Sequence, residues 1–325
     1  MEYLVVGGQQ KQAFSVPQEE FTRFGQAVVA RYGRDGEGEI AFEYVTPPEA
    51  RPEGREASIV FKSSSISGDR IHLCTQTELL CCRLPDFELL DRISLPMFND
   101  LHHVVESHDG TLLVAVTGLD MVVRLARDGR VLEAWSALGG DPWERWSREE
   151  DYRKWLTTKP HASHPNFVFE YGEEVWVSRF EQKDAICLNV PGRRIDIAQE
   201  RPHDGHVRGH RVYFTTVDGH VVIADLATTK VLDVVDLHAC DPDSTHTGWA
   251  RGLKIVDDDH VLVGFSTLRV TRFRENVRWI KHRFGMTENP APSPTHVALY
   301  DLRRRRLISR QMLEAPRIDV IFSIL

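Results

Sequence analysis

The segment HPNFVFEYGEEVWVSRFEQKDAICLN, residues 164–189, alternates apolar and polar side chains with little interruption. A period of two is typical of β-strands whose two faces meet different surroundings, and Gly172 provides a turn between the first two runs. The segment FNDLHHVVESHDGTLLVAVTGLDMVVRL, residues 98–125, has the same organisation, and it also carries histidine where its first strand begins. Both segments therefore predict short antiparallel strands joined by tight turns.

Runs of this kind recur from about residue 58 to the end of the sequence, in units of roughly 40 to 45 residues with about four runs each. This period is typical of β-propeller blades. Five units are legible, and one run, RIDVIFSIL at 317–325, is left over. We therefore predict an all-β fold, a single propeller of five blades with four antiparallel strands each. The C-terminal strand would close the ring in the first blade beside N-terminal strands, and six blades result if residues 1–45 form another.

The predicted propeller covers residues 58–325, and residues 1–57 form an N-terminal extension that packs on it or joins it. Two insertions interrupt the repeat, at 137–163 and 269–294. The connectivity of a four-stranded blade predicts that both emerge on the same face, where they form short helical insertions. Helical periodicity is found at 18–31, within 143–156 and within 272–283.

The composition is that of a soluble globular protein, with 325 residues of which 42% are hydrophobic. A formal net charge of −8 argues against a general nucleic-acid binder, which needs a basic surface. The N-terminal residues lack a signal-peptide pattern and no apolar run is long enough to span a bilayer, so we expect a cytoplasmic protein. The five cysteines form no CxxC pair and indicate buried small side chains.

Aligning the units places histidine or arginine where the innermost strands begin, at the entrance to the central channel. These positions are His102 or His103, His164, His203, Arg251, and Arg317 or Asp319. Neutral imidazoles that converge on an axis can bind Fe, Zn, Cu or Ni, so we predict a divalent metal ion in the channel. The predicted ligands are His103, His164, His203 and His246. The alternative is a ring of polar side chains that fills a wet channel.

Other residues on the same face are candidates for proton transfer and for substrate binding. Histidine and aspartate can act as general acids or bases, and the candidates are His102, His206 and Asp218. Arginines suit an anionic substrate, and tryptophans near an insertion suit a lid over a small molecule. The predicted substrate-binding residues are Arg179, Arg251, Arg317, Trp146, Trp155 and Trp249. The second insertion adds basic residues that could steer an acidic substrate.

The quoted segments, together with RPHDGHV at 201–207 and RGLKIVDDDHVLVGFSTLRV at 251–270, resemble a group of uncharacterised bacterial propeller proteins. The resemblance implies a five-bladed propeller over roughly residues 58–325 and no particular activity. More distantly, histidines at blade entrances are similar to the axial histidines of carotenoid-cleaving oxygenases and bacterial arylsulfotransferases. Four comparable entrances in this chain carry three histidines and one arginine, which departs from a four-histidine iron site.

These observations predict a metal-dependent enzyme that acts on a small, anionic molecule at the top of the channel, of lyase, hydrolase or oxygenase type. The sequence contains no GxSxG, P-loop, HExxH or dinucleotide-binding motif that would name another chemistry. Two alternatives stay open. One is a non-catalytic ligand- or protein-binding scaffold, since propellers serve both roles, and the other is a metal-free lyase or transferase with histidine as general base.

Overall fold

The computed structural model describes residues 1–11, 20–33, 36–52, 56–242, 248–267, 294–313 and 315–325. Over these ranges the chain forms six antiparallel sheets of four strands each. The innermost strands of neighbouring sheets contact one another around a common axis. The protein is therefore an all-β propeller with four-stranded blades, as the repeat predicts.

The blades follow one another along the chain, except that blade 1 combines strands from both ends. Blade 1 contains β1 (Tyr3–Gln10), β2 (Phe24–Tyr32), β3 (Gly38–Tyr44) and β24 (Val320–Ile324). Blade 2 contains β4 (Ser65–Ser67), β5 (Arg70–Cys74), β6 (Leu79–Arg83) and β7 (Glu88–Ile93). Blade 3 contains β8 (Leu101–Glu106), β9 (Leu112–Val116), β10 (Met121–Leu125) and β11 (Val131–Ser136).

The remaining blades have the same order, with the innermost strand first in the chain. Blade 4 contains β12 (Pro165–Tyr171), β13 (Glu174–Arg179), β14 (Asp184–Cys187) and β15 (Arg194–Asp196). Blade 5 contains β16 (His206–Arg208), β17 (Arg211–Thr215), β18 (His220–Asp225) and β19 (Lys230–Asp236). Blade 6 contains β20 (Gly248–Ile255), β21 (His260–Thr267), β22 (His296–Asp301) and β23 (Arg306–Met312).

The prediction of five blades is wrong, because six are present in the described part of the chain. The unit beginning at residue 58 has four strands of its own, so the C-terminal strand does not complete it. Instead, β24 pairs with β1 and completes a blade whose other three strands lie within residues 3–44. The structure thus agrees with the alternative of six blades, in which residues 1–45 contribute a blade.

The ring is closed by hydrogen bonds between the two ends of the chain. Residues Val5 and Val6 pair with Ile324 and Ser323, and the pairing continues past a bulge to Gly7 and Gly8. A Cβ atom on Gly7 would lie 1.8 Å from the carbonyl oxygen of Val320. The absence of a side chain at Gly7 therefore allows β24 to reach β1.

The predicted helix at 18–31 is wrong, because most of it is strand β2. Both faces of this strand are covered: Val28 packs in a cluster with residues of blade 6, and Val29 packs in a cluster with residues of blade 2. A strand buried on both faces carries consecutive apolar residues rather than alternating ones, and such a run cannot be told from a helix by its period.

The predicted helical insertions also differ from the structure. Within the described residues helical structure is limited to short 3-10 helices, namely Glu20–Thr22, Pro48–Ala50, Thr117–Leu119 and Tyr152–Lys154. The first insertion therefore contains one 3-10 helix and otherwise turns and irregular backbone. The second insertion lies almost entirely outside the described residues, including its predicted helix at 272–283.

Candidate functional site

A cavity of about 460 Å³ opens at the end of the channel where the innermost strands begin, which we call the upper cavity. Its lining comes from blades 3 to 6 and from the end of the first insertion. The lining residues are His102, Lys159, Pro160, His161, His164, Phe180, Glu181, His203, Trp249 and Arg251. The structure thus brings together five residues singled out in the sequence: His102, His164, His203, Trp249 and Arg251.

The protonated nitrogen of His102 is fixed by its neighbour in blade 4. The Nδ1 atom of His102 lies 2.7 Å from Oδ1 of Asn166, and the amide nitrogen of Asn166 donates to the carbonyl oxygen of Pro202 at 2.8 Å. This second bond sets the orientation of the amide, so Nδ1 of His102 is the donor. Burial, with a further contribution from Lys62, lowers the pKa of His102 to about 4. The ring is therefore neutral near pH 7, with an unprotonated Nε2.

A buried ion pair lies beside His102. Lys62 Nζ is 3.1 Å from Oδ1 of Asp100 and donates to His102 Nε2 at 3.4 Å. Burial alone would raise the pKa of Asp100, but the charge of Lys62 brings it well below its usual range. Asp100 is thus an anion that compensates Lys62, and the pair orients the lone pair of His102.

A chain of hydrogen bonds sets the proton positions of the two histidines in HASH, residues 161–164. The Thr158 hydroxyl donates to the carbonyl oxygen of Gly118 at 2.6 Å, so His161 Nε2, 3.3 Å away, is the donor to the Thr158 oxygen. His161 Nδ1 then carries the lone pair, and His164 Nδ1, at 3.0 Å, donates to it. The remaining nitrogen of His164, Nε2, is therefore unprotonated in the neutral ring.

Burial lowers the pKa of His164 well below its ordinary value, and the neighbouring rings of His102 and His161 lower it further. The rings of His102 and His164 meet edge to face, with centroids 4.7 Å apart. The upper cavity therefore contains two adjacent neutral imidazoles. Nε2 of His164 is available as a base, whereas Nε2 of His102 accepts from Lys62.

The backbone that presents His164 is held by Asp120. One carboxylate oxygen of Asp120 accepts from the N–H groups of Ser163 and His164 at 2.8 and 2.9 Å, and the other accepts from Ala162 N–H at 2.9 Å and from Arg145 at 2.8 Å. Both His164 and Asp120 have left-handed backbone conformations, with φ of 54°. Such conformations are uncommon outside glycine and persist where surrounding bonds hold them, often at functional sites.

An aromatic and cationic wall faces the histidines. Trp249 Nε1 donates to His203 Nε2 at 2.8 Å, and a guanidinium nitrogen of Arg251 lies 3.3 Å from the same atom. Since both neighbours are donors, Nε2 of His203 accepts and its lone pair is already used. The Arg251 guanidinium also stacks 4.1 Å above the Phe322 ring, and Phe180 packs against His203.

Several other sequence candidates lie away from the upper cavity. Arg179 forms a two-pronged pair with Asp184, at 2.8 and 2.6 Å, and donates to the carbonyl oxygen of Ala137. Arg317 pairs in the same way with Asp319. These arginines tie neighbouring segments together.

Asp218, predicted to transfer protons, is buried and accepts a hydrogen bond from Thr216. It also lies 3.0 Å from Nδ1 of His220. Its described contacts are therefore with blade 5 and not with the lining of the upper cavity.

The two tryptophans predicted to form a lid pack within the first insertion. Trp146 meets Tyr152 edge to face, and Tyr152 also contacts Trp155, whose Nε1 donates to Glu150. The segment that reaches the cavity is the end of the insertion, Lys159 to His161.

His103 and His206 do not line the upper cavity. They line a second cavity, at the end of the channel where the innermost strands finish. We call it the lower cavity. The ring of His206 packs on Phe167 beside that of His103.

The four predicted metal ligands are not gathered at one place. His103 lines the lower cavity, His203 has its Nε2 lone pair engaged, and His246 lies outside the described residues. Across the residues that the structure describes, no group of three histidine, cysteine, aspartate or glutamate side chains is arranged to hold a metal ion. The metal centre stays a prediction.

Sequence reasoning missed four residues that support the histidines, namely Lys62, Asp100, Asn166 and His161. Lys62 and Asn166 act on a residue of another blade, so no local pattern marks them. A signal was present only for His161, which shares the motif HASH with His164.

No protein-family model matches the chain, and no curated protein sequence matches it. Among solved structures, a protein of unknown function from Bacteroides caccae superposes with a TM-score of 0.61 at 13% identity, covering 99% of this chain and 97% of that one. The two chains share a fold. At this identity the similarity carries no information about activity.

Two weaker similarities are to other solved structures. Virginiamycin B lyase from Staphylococcus aureus has a TM-score of 0.43 at 12% identity, covering 63% of this chain and 66% of that one. The Pan2 WD40 domain of Neurospora crassa has a TM-score of 0.44 at 12% identity, covering 81% and 66%. The expected similarity to carotenoid-cleaving oxygenases and arylsulfotransferases receives no support from these comparisons.

The described residues contain no helix that is long and apolar enough to cross a membrane.

Proposed function

We propose that the upper cavity binds a small organic anion and that His164 acts on it as a general base. One observation supports this proposal. Two neutral imidazoles with unprotonated Nε2 atoms, His102 and His164, stand in a cavity that is also lined by the cationic side chains of Lys159 and Arg251.

The charges of the lining favour an anion. Among the lining residues, which all fall within the described ranges, Glu181 is the sole carboxylate. A guanidinium nitrogen of Arg201 lies 3.4 Å from its carboxylate oxygen. Arg251 presents a planar guanidinium, which suits carboxylate or phosphate oxygens, and Lys159 adds an ammonium at the exposed rim. The aromatic side chains of Phe180 and Trp249 supply an apolar wall for the rest of the molecule.

Binding of an anion would also prepare the base. A negative charge beside His164 raises its pKa from the depressed value towards that of the medium, where an imidazole is most effective in proton transfer. Proton abstraction by Nε2 would then start an elimination or activate water for hydrolysis. The proposed activity is therefore of lyase or hydrolase type.

The binding step can be tested by thermal unfolding with a panel of carboxylates and phosphates and their uncharged amides. A ligand that binds only the folded protein raises Tm. We expect at least one anion, and not its amide, to raise Tm of the wild type, and we expect Arg251→Met and Lys159→Met to reduce the rise. Arg303→Met, which removes a charge from an exposed residue on blade 6, is the matched control.

Lys159 lies on the rim, so Lys159→Met keeps the test decisive if Arg251→Met does not fold. The proposal fails if no anion raises Tm of the wild type, or if both cavity variants respond like Arg303→Met. The base is tested by calorimetry of the same ligand in buffers of different ionisation enthalpy. With a pKa brought near the pH of the medium, the wild type should take up a fraction of a proton on binding, and His164→Gln should take up less; equal uptake in both would remove His164 from the mechanism.

A further inference from the structure

The lower cavity has a volume of about 600 Å³ and surrounds the channel axis. All six innermost strands contribute to its wall. This volume is in the range of sites that hold small organic molecules. Its lining includes Ser65, His103, Phe167, Phe169, His206 and Lys254.

Three residues that line this cavity each have a buried polar atom without a hydrogen-bond partner. These atoms are Oγ of Ser65, Nε2 of His103 and Nε2 of His206, counting partners within the described ranges. His206 Nε2 lies 3.5 Å from Asp204 Oδ1, beyond good hydrogen-bonding distance. An unsatisfied buried polar atom costs free energy, so three of them around one cavity indicate a place for a polar ligand.

The structure determines what His103 can offer. The side chain is 1% exposed, and its Nδ1 accepts from the N–H of Val168 at 3.2 Å. Burial, with a smaller contribution from His206, lowers the pKa of His103 well below its ordinary value, so the ring is neutral. Its hydrogen is therefore on Nε2, which makes this atom a donor and not a metal ligand.

Lys254 adds a positive charge to the wall. Within the part of the chain that the structure describes, its ammonium has no acidic partner. The other lining cation, Arg208, is paired with Asp258 at 2.8 Å. Burial lowers its pKa, which indicates that the charge is poorly hydrated. The lining carboxylates Glu106 and Glu170 are already paired, with His72 at 2.9 Å and Arg124 at 3.4 Å. A cation and a neutral donor thus remain for an incoming oxyanion.

The rest of the wall is largely apolar. The ring of Phe167 stacks on His103 with centroids 3.6 Å apart, and Phe169 lies next to it on the same lining. Valine and isoleucine side chains from the other inner strands complete the surface. A purely polar ion would leave these side chains facing water, whereas a molecule with a hydrocarbon part would cover them.

We propose that the lower cavity is a second binding site, which takes a small amphipathic carboxylate. Its carboxylate accepts the Nε2 hydrogen of His103 and pairs with Lys254, and its hydrocarbon part packs against Phe167 and Phe169. This site is separate from the upper cavity and uses none of the residues assigned to it.

Isothermal titration of the full chain with octanoate, phenylacetate and octanamide tests this proposal. We expect at least one of the two carboxylates to bind, octanamide to bind about tenfold more weakly than octanoate or not at all, and Lys254→Met to weaken carboxylate binding about tenfold. His103→Phe, which keeps an aromatic ring beside Phe167, should weaken it similarly. Lys230→Met, an exposed lysine on β19, is the control and should bind like the wild type.

Three results would overturn the proposal: no binding by either carboxylate, binding of octanamide as tight as octanoate, or unchanged carboxylate affinity in Lys254→Met. Arg251→Met separates this site from the upper cavity. Carboxylate binding that is lost in Arg251→Met and retained in Lys254→Met would place the ligand in the upper cavity and contradict the second site. Binding lost in Lys254→Met and retained in Arg251→Met supports it.

Discussion

At the scale of single residues, the chemistry of the upper cavity depends on where the histidine protons lie. Asn166 receives the Nδ1 hydrogen of His102, and His161 receives the Nδ1 hydrogen of His164. In both rings this leaves Nε2 without a hydrogen. The same enclosure that fixes the tautomers also disfavours the charged forms, so both rings are bases that stay neutral well below pH 7.

Stability should therefore fall with acid in a defined window. The pKa of His102 is about 6.5 in the unfolded chain and about 4 in the folded protein. Above pH 6.5 the ring is neutral in both states and adds no pH dependence. Between pH 6.5 and 4 the unfolded state binds more protons, so the free energy of unfolding decreases as pH falls.

Between pH 7.5 and pH 5, His102 should account for about 2 kcal/mol of the decrease in the free energy of unfolding. Urea unfolding of His102→Gln should show a pH-dependent loss smaller by that amount than the wild type, whereas His210→Gln, at an exposed position, should match the wild type. An identical loss in His102→Gln and wild type would mean that His102 is not held neutral.

Asp120 should behave as a positioning residue. Asparagine has the size of aspartate and tolerates the left-handed backbone at position 120. In Asp120→Asn, however, an NH2 group replaces one carboxylate oxygen, and this group cannot accept from the backbone N–H groups of residues 162–164. We expect a loss of about 2 kcal/mol in the free energy of unfolding. Arg145→Gln removes only the half-exposed ion pair and should cost less than about 1 kcal/mol. Equal losses would show that the backbone contacts of Asp120 contribute nothing.

The sequence predicted part of this site. Aligning the starts of inner strands brought His102, His164, His203 and Arg251 to one place, because strand starts in a propeller share one end of the channel. The same alignment could not decide between His102 and His103, since a β-bulge at this point disturbs the alternation. Arg179 was predicted to bind substrate because its partner Asp184 lies on the next strand, and the sequence alone does not show that the two side chains are paired.

At the scale of elements, burial differs between the strands of a blade. Interior strands are covered on both faces by neighbouring blades, whereas the outermost strand is more exposed. Interior strands such as β9 and β21 are almost wholly buried, and outer strands such as β7 are largely exposed. Apolar runs bounded by turn residues predicted most of the strands after residue 58. The N-terminal strands were harder to see, because β2 is a run of consecutive apolar residues without alternation.

The contact between β1 and β24 makes Gly7 a sensitive position. Gly7→Ala places a Cβ against the Val320 carbonyl oxygen, which belongs to the backbone and cannot turn away. We expect a loss of about 3 kcal/mol or more in the free energy of unfolding, because the strands that close the ring must separate.

Gly25→Ala is the control for this substitution. Its Cβ would meet the flexible side chain of Lys11 at 2.9 Å, which can move aside. Denaturant unfolding should place Gly25→Ala within about 1 kcal/mol of the wild type. Similar losses for both variants would contradict the role of Gly7 in closing the ring.

At the scale of the whole molecule, six blades enclose one channel with a cavity at each end. The upper cavity is lined by four blades and an insertion, and the lower cavity by all six inner strands. The period of the sequence predicted the propeller itself, but not the number of blades, because one blade is assembled from both ends of the chain. Nor could the period predict a second cavity, which needs side chains from every blade.

The central claim is that the upper cavity holds two neutral imidazoles whose Nε2 atoms carry no hydrogen. Nitrogen-15 NMR of histidine-labelled protein, with assignments from His102→Gln and His164→Gln, measures this directly. We expect both rings to be neutral and protonated at Nδ1 at pH 7, and His102 to remain so at pH 5. An imidazolium at either position at pH 7, or a neutral His164 protonated at Nε2, would contradict the account.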